Sequence, residues 1–376
     1  MGRPFMKIAI IGSRGIPARW GGFEKVAEEL GTRLVERGHA VTVYCRSRYS
    51  DERRPHEYRG VRLVYLPYLA GKFLETPSHE VAASVHSLFR SFDVYFVLGC
   101  RASWCYLPHR ALGKAVVFQT DGLDWDRRKW GFLARQYLRL SYWIAVRLGT
   151  GLVSDSRAVA AYFSEAFGRL PGYLSYGAVP AAPAAPDLVR GYGVEPRNYF
   201  LVVCRLEPEN NTDLVIRAFA GLHTDKTLVI VGGVNYASAY VRRLRGTPDR
   251  RVVFLGPVYA PGHLEALYQH AYAYVHGHEV GGTNPALLGA MAAGCCVLAL
   301  DVPFNAEVLD GAGLMWTKSA DDLRVQMEYV LAHPEAARER GAMAVRRVRM
   351  AYDWDSTVDA HERYFSEVLV RGGSRG

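Results

Sequence analysis

The sequence predicts an α/β protein built from two doubly wound, Rossmann-like domains. Three observations lead there. The chain has 376 residues, more than one compact core usually holds. Short apolar runs alternate with segments of helical periodicity in both halves. Residues 179–186, rich in alanine and proline, have no periodicity and read as a connection. The expected organisation is a first domain over 1–178, a linker over 179–194, a second domain over 195–354 and a closing helix with tail over 355–376.

In the first half, apolar strands are expected at 7–12, 40–45, 61–66, 94–98, 115–119 and 151–156. Between the first two, Phe23, Val26, Ala27, Leu30 and Leu34 recur at helical spacing, and Arg37-Gly38 closes that helix. The loop before it lacks a well-placed GxGxxG, which disfavours a dinucleotide. Ser154, Asp155 and Ser156 offer caps for a helix over 157–167. In the second half, strands are expected at 199–204, 227–231, 252–255, 271–275 and 296–300, and a last amphipathic helix runs through Val370.

The composition, 49% hydrophobic and 22% charged, is that of an ordinary globular protein. No apolar run reaches the roughly 18 to 20 residues of a membrane span, and the N-terminus passes straight into a strand, so neither a transmembrane helix nor a signal peptide is expected. Six scattered cysteines without zinc-site spacing read as reduced structural thiols of a cytoplasmic protein. The net charge of +9 is uneven: residues 1–180 hold 26 Lys+Arg against 15 Asp+Glu, and the remainder 20 against 22. No zinc-finger or RNP signature accompanies this excess, so nucleic acid is not the expected partner. Anionic headgroups or a pyrophosphate-linked ligand suit the same field.

The stretch HGHEVGGTNPALLGAMAAGCCVLAL, residues 276–300, passes from a polar loop through a helix into a buried strand. Pro285 fits the first helical turn and Gly294 the end. The amides of Gly281, Gly282, Thr283 and Asn284 then lie at a helix N-terminus with little side chain above them, an arrangement that favours phosphate. A tight loop capped by Thr283 or Asn284 is the alternative reading. Glu279 cannot serve an anion and suits hydroxyl groups or a developing positive charge. Gly21 and Gly22 repeat the glycine–helix arrangement at the start of the chain, with Arg14 and Arg19 nearby.

Four blocks in this order, IGSRGIPARWGGFE, TDGLDWDRRKW, RLEPENN and HGHEVGGTNP, resemble the retaining GT-B glycosyltransferases of family 4. Within these they resemble a bacterial rhamnosyltransferase-like branch that builds polysaccharides on lipid carriers. The resemblance implies two Rossmann-like domains facing across a cleft, with the C-terminal helix crossing back to the first. It implies a nucleotide-sugar donor, with dTDP-rhamnose as the first expectation and UDP- or GDP-sugars as alternatives. The implied acceptor is a lipid-linked saccharide, and no metal or other cofactor is implied. On this reading Arg205, Asn210, Gly256, Val258, Glu279, Glu307, Gly21, Gly22 and residues 281–284 hold the donor. Asp121 sits near the reacting face, with Glu279 and Arg205 as its catalytic companions. Asp124, Trp125, Arg127, Lys129 and Trp130 receive the acceptor. The basic, aromatic stretch 127–148 lies on an anionic membrane surface, making the protein peripheral on the inner face.

Asp124-Trp125-Asp126 also spells the DxD of a metal-dependent fold, but Asp353-Trp354-Asp355 repeats it in another context, so the pattern carries little. Two departures stand out. Asn210 replaces the lysine usual five residues after Arg205, leaving Arg14, Arg19 or Lys129 as candidate replacements. Gly281 and Gly289 replace the usual pair of glutamates, with Glu279 able to take the first role. Losing the second removes a ribose hydrogen bond of about 1–3 kcal/mol, which matters less for a deoxyribose nucleotide such as dTDP. A nucleotide-sugar epimerase and a degenerate, non-catalytic binder remain as rival readings.

Overall fold

A computed structural model describes residues 5–19, 21–49, 54–71, 73–120, 122–234 and 238–373. The chain divides into two units, residues 1–176 with 354–376 and residues 177–353. Each is a mainly parallel sheet covered by helices, so its central strands are apolar on both faces.

In the first unit the described strands are β1 (Lys7–Ile11), β2 (Ala40–Arg46), β3 (Glu57–Tyr58), β4 (Val61–Leu66), β5 (Val94–Leu98), β6 (Ala115–Thr120), β7 (Gly151–Ser154) and β8 (Gly172–Tyr173). Their order is β3-β4-β2-β1-β5-β6-β7-β8, parallel throughout except for β3 against β4. The strand order reverses between β1 and β5, and Ile8, Ala9, Ile10 and Ile11 there are fully buried. The helix Gly22–Glu36 buries Val26, Ala27, Leu30 and Leu34, the spacing read from the sequence. Ser156 caps the helix Arg157–Phe167 by accepting from the Val159 amide.

The helix Trp354–Gly373 belongs to this unit although the chain reaches it last. Its Tyr364 hydroxyl donates to the Leu152 carbonyl at 2.9 Å, and Phe365 lies 5.3 Å from the Phe96 ring. Arg37 Nη1 reaches Asp359 and Glu362 at 2.5 Å each, and His39 Nε2 meets Glu362 Oε1 at 2.7 Å. Apolar burial supplies the attraction and these pairs fix the helix's register.

The second unit has β9 (Tyr199–Val203), β10 (Thr227–Val231), β11 (Val252–Gly256), β12 (Ala273–His276), β13 (Val297–Leu300) and β14 (Leu314–Trp316). The order β11-β10-β9-β12-β13-β14 reverses between β9 and β12, so a crevice is expected at their carboxyl ends. Residues 179–194, expected as the linker, pack within this unit. The Ala181 amide donates to the Ala292 carbonyl at 3.1 Å, Gln269 accepts from the Ala184 amide at 2.8 Å, and Val189 and Val194 are buried. Prolines remove donors from this stretch, and the amides of Ala181 and Ala184 find acceptors on neighbouring helices.

The six cysteines are free and buried. Among the described residues no helix is long and apolar enough to cross a membrane. Truncating Glu362 to alanine leaves His39 facing an empty buried position and Arg37 with one carboxylate fewer. We expect Glu362→Ala to lower the unfolding free energy by about 2–3 kcal/mol in urea titration. An unchanged midpoint would show that apolar packing alone docks the last helix.

Candidate functional site

The strand reversal of the second unit brings together two loops. One follows β9 and carries Arg205 to Asn211; the other follows β12 and carries Gly277 to Asn284. Pro208–Asn210 forms a short 3₁₀ turn, and Asn211 adopts a left-handed backbone with φ 52° before the helix Thr212–Ala220 begins. That conformation aims its amide group at the neighbouring loop. Asn211 Nδ2 donates to the Gly277 carbonyl at 2.9 Å and to Glu279 Oε2 at 3.2 Å. The Glu279 amide donates to the Glu209 carbonyl at 3.0 Å. The loops approach closely enough that a Cβ at Gly277 would stand 2.4 Å from the Asn210 carbonyl oxygen, so only glycine fits.

From the opposite side Asn305 Nδ2 donates to the His278 carbonyl at 3.1 Å and the Leu300 carbonyl at 2.9 Å. His276 is buried and stacks on His278 with ring centroids 4.3 Å apart. Burial pushes the His276 imidazole down to about 3, so it is neutral at physiological pH. Residues 277–284 are thus a held loop between two strand ends.

Asn284 is the N-cap of the helix Pro285–Ala292: its side chain accepts from the Ala286 amide at 2.8 Å. The capping alternative therefore falls on Asn284, while Thr283 is buried beneath the loop. Gly281 has φ 150° and nothing within 4 Å of where a Cβ would stand, so the space on that side of its Cα is open. Asn284 satisfies the Ala286 amide, and of the loop before it Gly281 is half-buried while Gly282 and Thr283 are buried.

The residues around this crevice divide by role. Arg205 is exposed beyond β9, and its carbonyl accepts from Asn210 Nδ2 at 2.7 Å. Asn210 is buried and turned onto its own loop, so it offers no substitute for a lysine. Gly256 ends β11 with φ 74°, and its carbonyl accepts from the Gly232 amide at 2.9 Å, leaving Val258 half-buried beyond it. Glu307 is half-buried on the helix Pro303–Leu309. At Gly289 a Cβ would come within 3.2 Å of the Tyr268 ring, so an aromatic side chain packs where the usual glutamate would leave the helix.

The first unit treats its expected residues differently. Asp121 lies outside the described residues. Gly21 is the extended N-cap of the helix Gly22–Glu36, and Glu24 turns back beside it to accept the Arg14 amide at 2.8 Å. Glu28 accepts the Ala18 amide at 2.6 Å, so two carboxylates already hold the loop that the sequence offered to phosphate.

Asp124, Trp125 and Arg127 were expected on the acceptor and are interior instead. Asp124 is 1% exposed, held by Arg101 Nε at 2.8 Å, Arg127 Nε at 2.9 Å and the Tyr142 hydroxyl at 3.1 Å. Burial works against its charge, but the two guanidinium groups outweigh it and hold the carboxyl well below the usual range. Trp125 is 2% exposed, with its ring 5.0 Å from Tyr142. The turn Asp124–Asp126 points the indole into the core, and the charges follow it inward as a compensated group. Lys129 and Trp130 stay half-buried, the ammonium 5.3 Å from the indole centroid.

The helix of the basic, aromatic stretch begins at Phe132 and ends at Leu148. It buries Leu138, Ser141, Tyr142, Ala145 and Val146, and leaves Phe132, Leu133, Leu140 and Trp143 exposed beside Arg135, Arg139 and Arg147. Among the described residues no group of three or more His, Cys, Asp or Glu is placed to hold a metal.

Sequence reasoning missed Asn211 as the clamp and Arg101 as the partner of Asp124. Asn211 carried a signal, because asparagine tolerates a left-handed backbone just before a helix. Asn211→Ala removes two hydrogen bonds and places at positive φ a residue that tolerates it less well than asparagine. We expect a stability loss of about 2–3 kcal/mol, read from the unfolding midpoint, and an unchanged midpoint would contradict the clamp.

Comparison with known proteins follows the same division of the chain. Residues 5–179 match a family described as a domain of unknown function, DUF1972, and residues 190–346 match the family of group 1 glycosyl transferases. A curated relative, an uncharacterized 42.6 kDa protein in the cps region of Klebsiella pneumoniae, is 36% identical over 63 residues, 17% of either chain. Sucrose-phosphate synthase from Thermosynechococcus elongatus superposes with a TM-score of 0.82 at 18% identity, over 97% of this chain and 99% of that one. HepE of Anabaena in complex with UDP and glucose gives 0.78 at 18% identity, over 96% and 100%. WaaG, a glycosyltransferase involved in lipopolysaccharide biosynthesis, gives 0.72 at 17% identity, over 94% and 98%. With two Rossmann-like units and the strand-reversal crevice inside the matched domain, the chain has the GT-B fold, and its residues 190–346 belong to the family of group 1 glycosyl transferases.

Proposed function

We propose that the protein is a metal-independent, retaining glycosyltransferase that moves rhamnose from dTDP-rhamnose onto a lipid-diphosphate-linked saccharide in cell-surface polysaccharide synthesis. The observation that carries the reading is the held loop 277–284, which meets the loop of Arg205 at the strand reversal, carries Glu279 and leads into a helix start. Amides at a helix start and a guanidinium suit a diphosphate, and a carboxylate suits sugar hydroxyls. The neighbour HepE, in complex with UDP and glucose, supports a nucleoside diphosphate sugar as donor.

Deoxyribose in the donor is supported by position 289, where glycine packed against Tyr268 stands in place of a carboxylate side chain. A lipid-linked acceptor at the inner membrane face is supported by the exposed Phe132, Leu133, Leu140 and Trp143 among arginines. The first unit's excess of Lys and Arg acts in the same direction. The relative from a cps region, and WaaG with its part in lipopolysaccharide biosynthesis, agree with a cell-surface product.

Catalysis on this reading is electrostatic. Arg205 and the loop amides stabilise the departing diphosphate as the bond from the anomeric carbon to its phosphate oxygen breaks. The acceptor oxygen bonds to the same carbon and gives its proton to a β-phosphate oxygen of the donor. Glu279 orients the sugar, and the role of Asp121 at the reacting face is carried over from the sequence resemblance alone.

Calorimetric titration with dTDP, UDP and GDP, with and without magnesium, tests the assignment. We expect dTDP to bind at least about tenfold tighter than the others, independently of magnesium. A preference for UDP or GDP removes rhamnose and leaves another hexosyltransferase, and absence of binding to all three favours a degenerate binder.

A further inference from the structure

The donor crevice of the second unit lacks a charge that its proposed ligand requires. A nucleoside diphosphate sugar carries two negative charges on its diphosphate. Against these the loop after β9 offers Arg205 alone, because Asn210 is uncharged and turned onto the Arg205 carbonyl. His276 is neutral at physiological pH. Glu279 makes matters worse, because it places a carboxylate two residues before the loop amides that would receive the phosphates.

The structure places Lys318 at this point. Its Nζ forms an ion pair with Glu279 Oε2, the oxygen that also accepts from Asn211 Nδ2. The lysine stands 39 residues beyond the carboxylate in sequence, and the sheet brings them together. β13 lies beside β12, and β14 beside β13 with Leu300 paired to Trp316, so the turn after β14 emerges at the same edge as the loop after β12.

The turn is fixed on both sides of Lys318. Trp316 is fully buried and its indole N–H donates to the Leu298 carbonyl at 3.3 Å. Thr317 donates to Asp322 Oδ2 from its amide at 2.6 Å and its hydroxyl at 2.8 Å. Ser319 caps the helix Ala320–Ala332 by accepting from the Asp322 amide. The backbone on either side is therefore tied, while the Lys318 side chain is 46% exposed and that of Glu279 only 14%. The flexible, open partner is the one free to exchange one anion for another.

We propose that Lys318 is the second cation of the donor site. Without ligand it neutralises Glu279; with the donor bound it turns to the diphosphate, and Glu279 is released to the sugar hydroxyls. This assignment rests on the donor reading given above. It replaces Arg14, Arg19 and Lys129 as the compensating cation with one carried by the same unit as Arg205 and Glu279. It also makes affinity depend on the β-phosphate, so the site distinguishes a nucleoside diphosphate from the monophosphate.

The test is calorimetry of the full chain with dTDP, UDP, dTMP and UMP, comparing the unaltered protein with Lys318→Met, Lys318→Arg, Glu279→Gln and the double variant. Lys318→Met is expected to weaken the favoured diphosphate by at least about tenfold and its monophosphate by less than about twofold, and Lys318→Arg to recover most of the loss. The loss must persist in the Glu279→Gln background, because a lysine that only holds the carboxylate would lose its effect there. Equal losses for diphosphate and monophosphate, no loss, or a loss that vanishes beside Glu279→Gln overturns the assignment. If the unaltered protein binds neither diphosphate, the donor reading itself fails and this one falls with it.

Discussion

The second unit's site depends on one contact between two loops. Asn211, in a left-handed backbone, holds the Gly277 carbonyl and one oxygen of Glu279, and Gly277 has no side chain that would keep the loops apart. Parallel strands deliver their carboxyl ends to one edge but leave the loops beyond them undefined. The asparagine converts two flexible exits into a single surface, and Asn305 pins its far side through the His278 carbonyl. Together these contacts fix the approach of the chain to the helix that Asn284 caps.

Charge is arranged differently in the two units. In the first, the carboxylates near the strand ends are already matched: Asp124 lies between Arg101 and Arg127, and Glu24 closes the loop before its own helix. Such groups hold local structure, because an interior carboxylate that has two guanidinium partners and little exposure makes a poor ligand. The excess positive charge of that unit appears instead on its surface, as on the exposed face of Phe132–Leu148. In the second unit Glu209 is buried, but Arg205 is exposed and the Lys318 side chain, paired with Glu279, is 46% exposed.

Much of this was legible in the sequence, because apolar runs and helical spacing report burial directly. The strands over 7–11, 94–98 and 227–231 and the helix after Asn284 lie where periodicity placed them. Short strands such as Glu57–Tyr58, Gly172–Tyr173 and Leu314–Trp316 escaped, since two or three residues establish no period. The junction from loop to helix at Asn284 and Pro285 was readable because glycines and proline act locally. The acceptor residues were not: Asp124, Trp125 and Arg127 look like a polar, aromatic surface, and only the packing of Trp125 against Tyr142 shows that they point inward. Lys318 gave no signal at all, because its partner is set by the neighbouring of strands rather than by spacing along the chain.

Hydrogen exchange of the full chain with and without a nucleoside diphosphate tests the central claim, that the clamped loops of the second unit form the donor site. The account predicts slowed exchange of the backbone amides in residues 205–211 and 278–284, with the amide of Gly281 among those most affected. Slowed exchange confined to residues 12–22 of the first unit, with the second unit's loops unchanged, would contradict it.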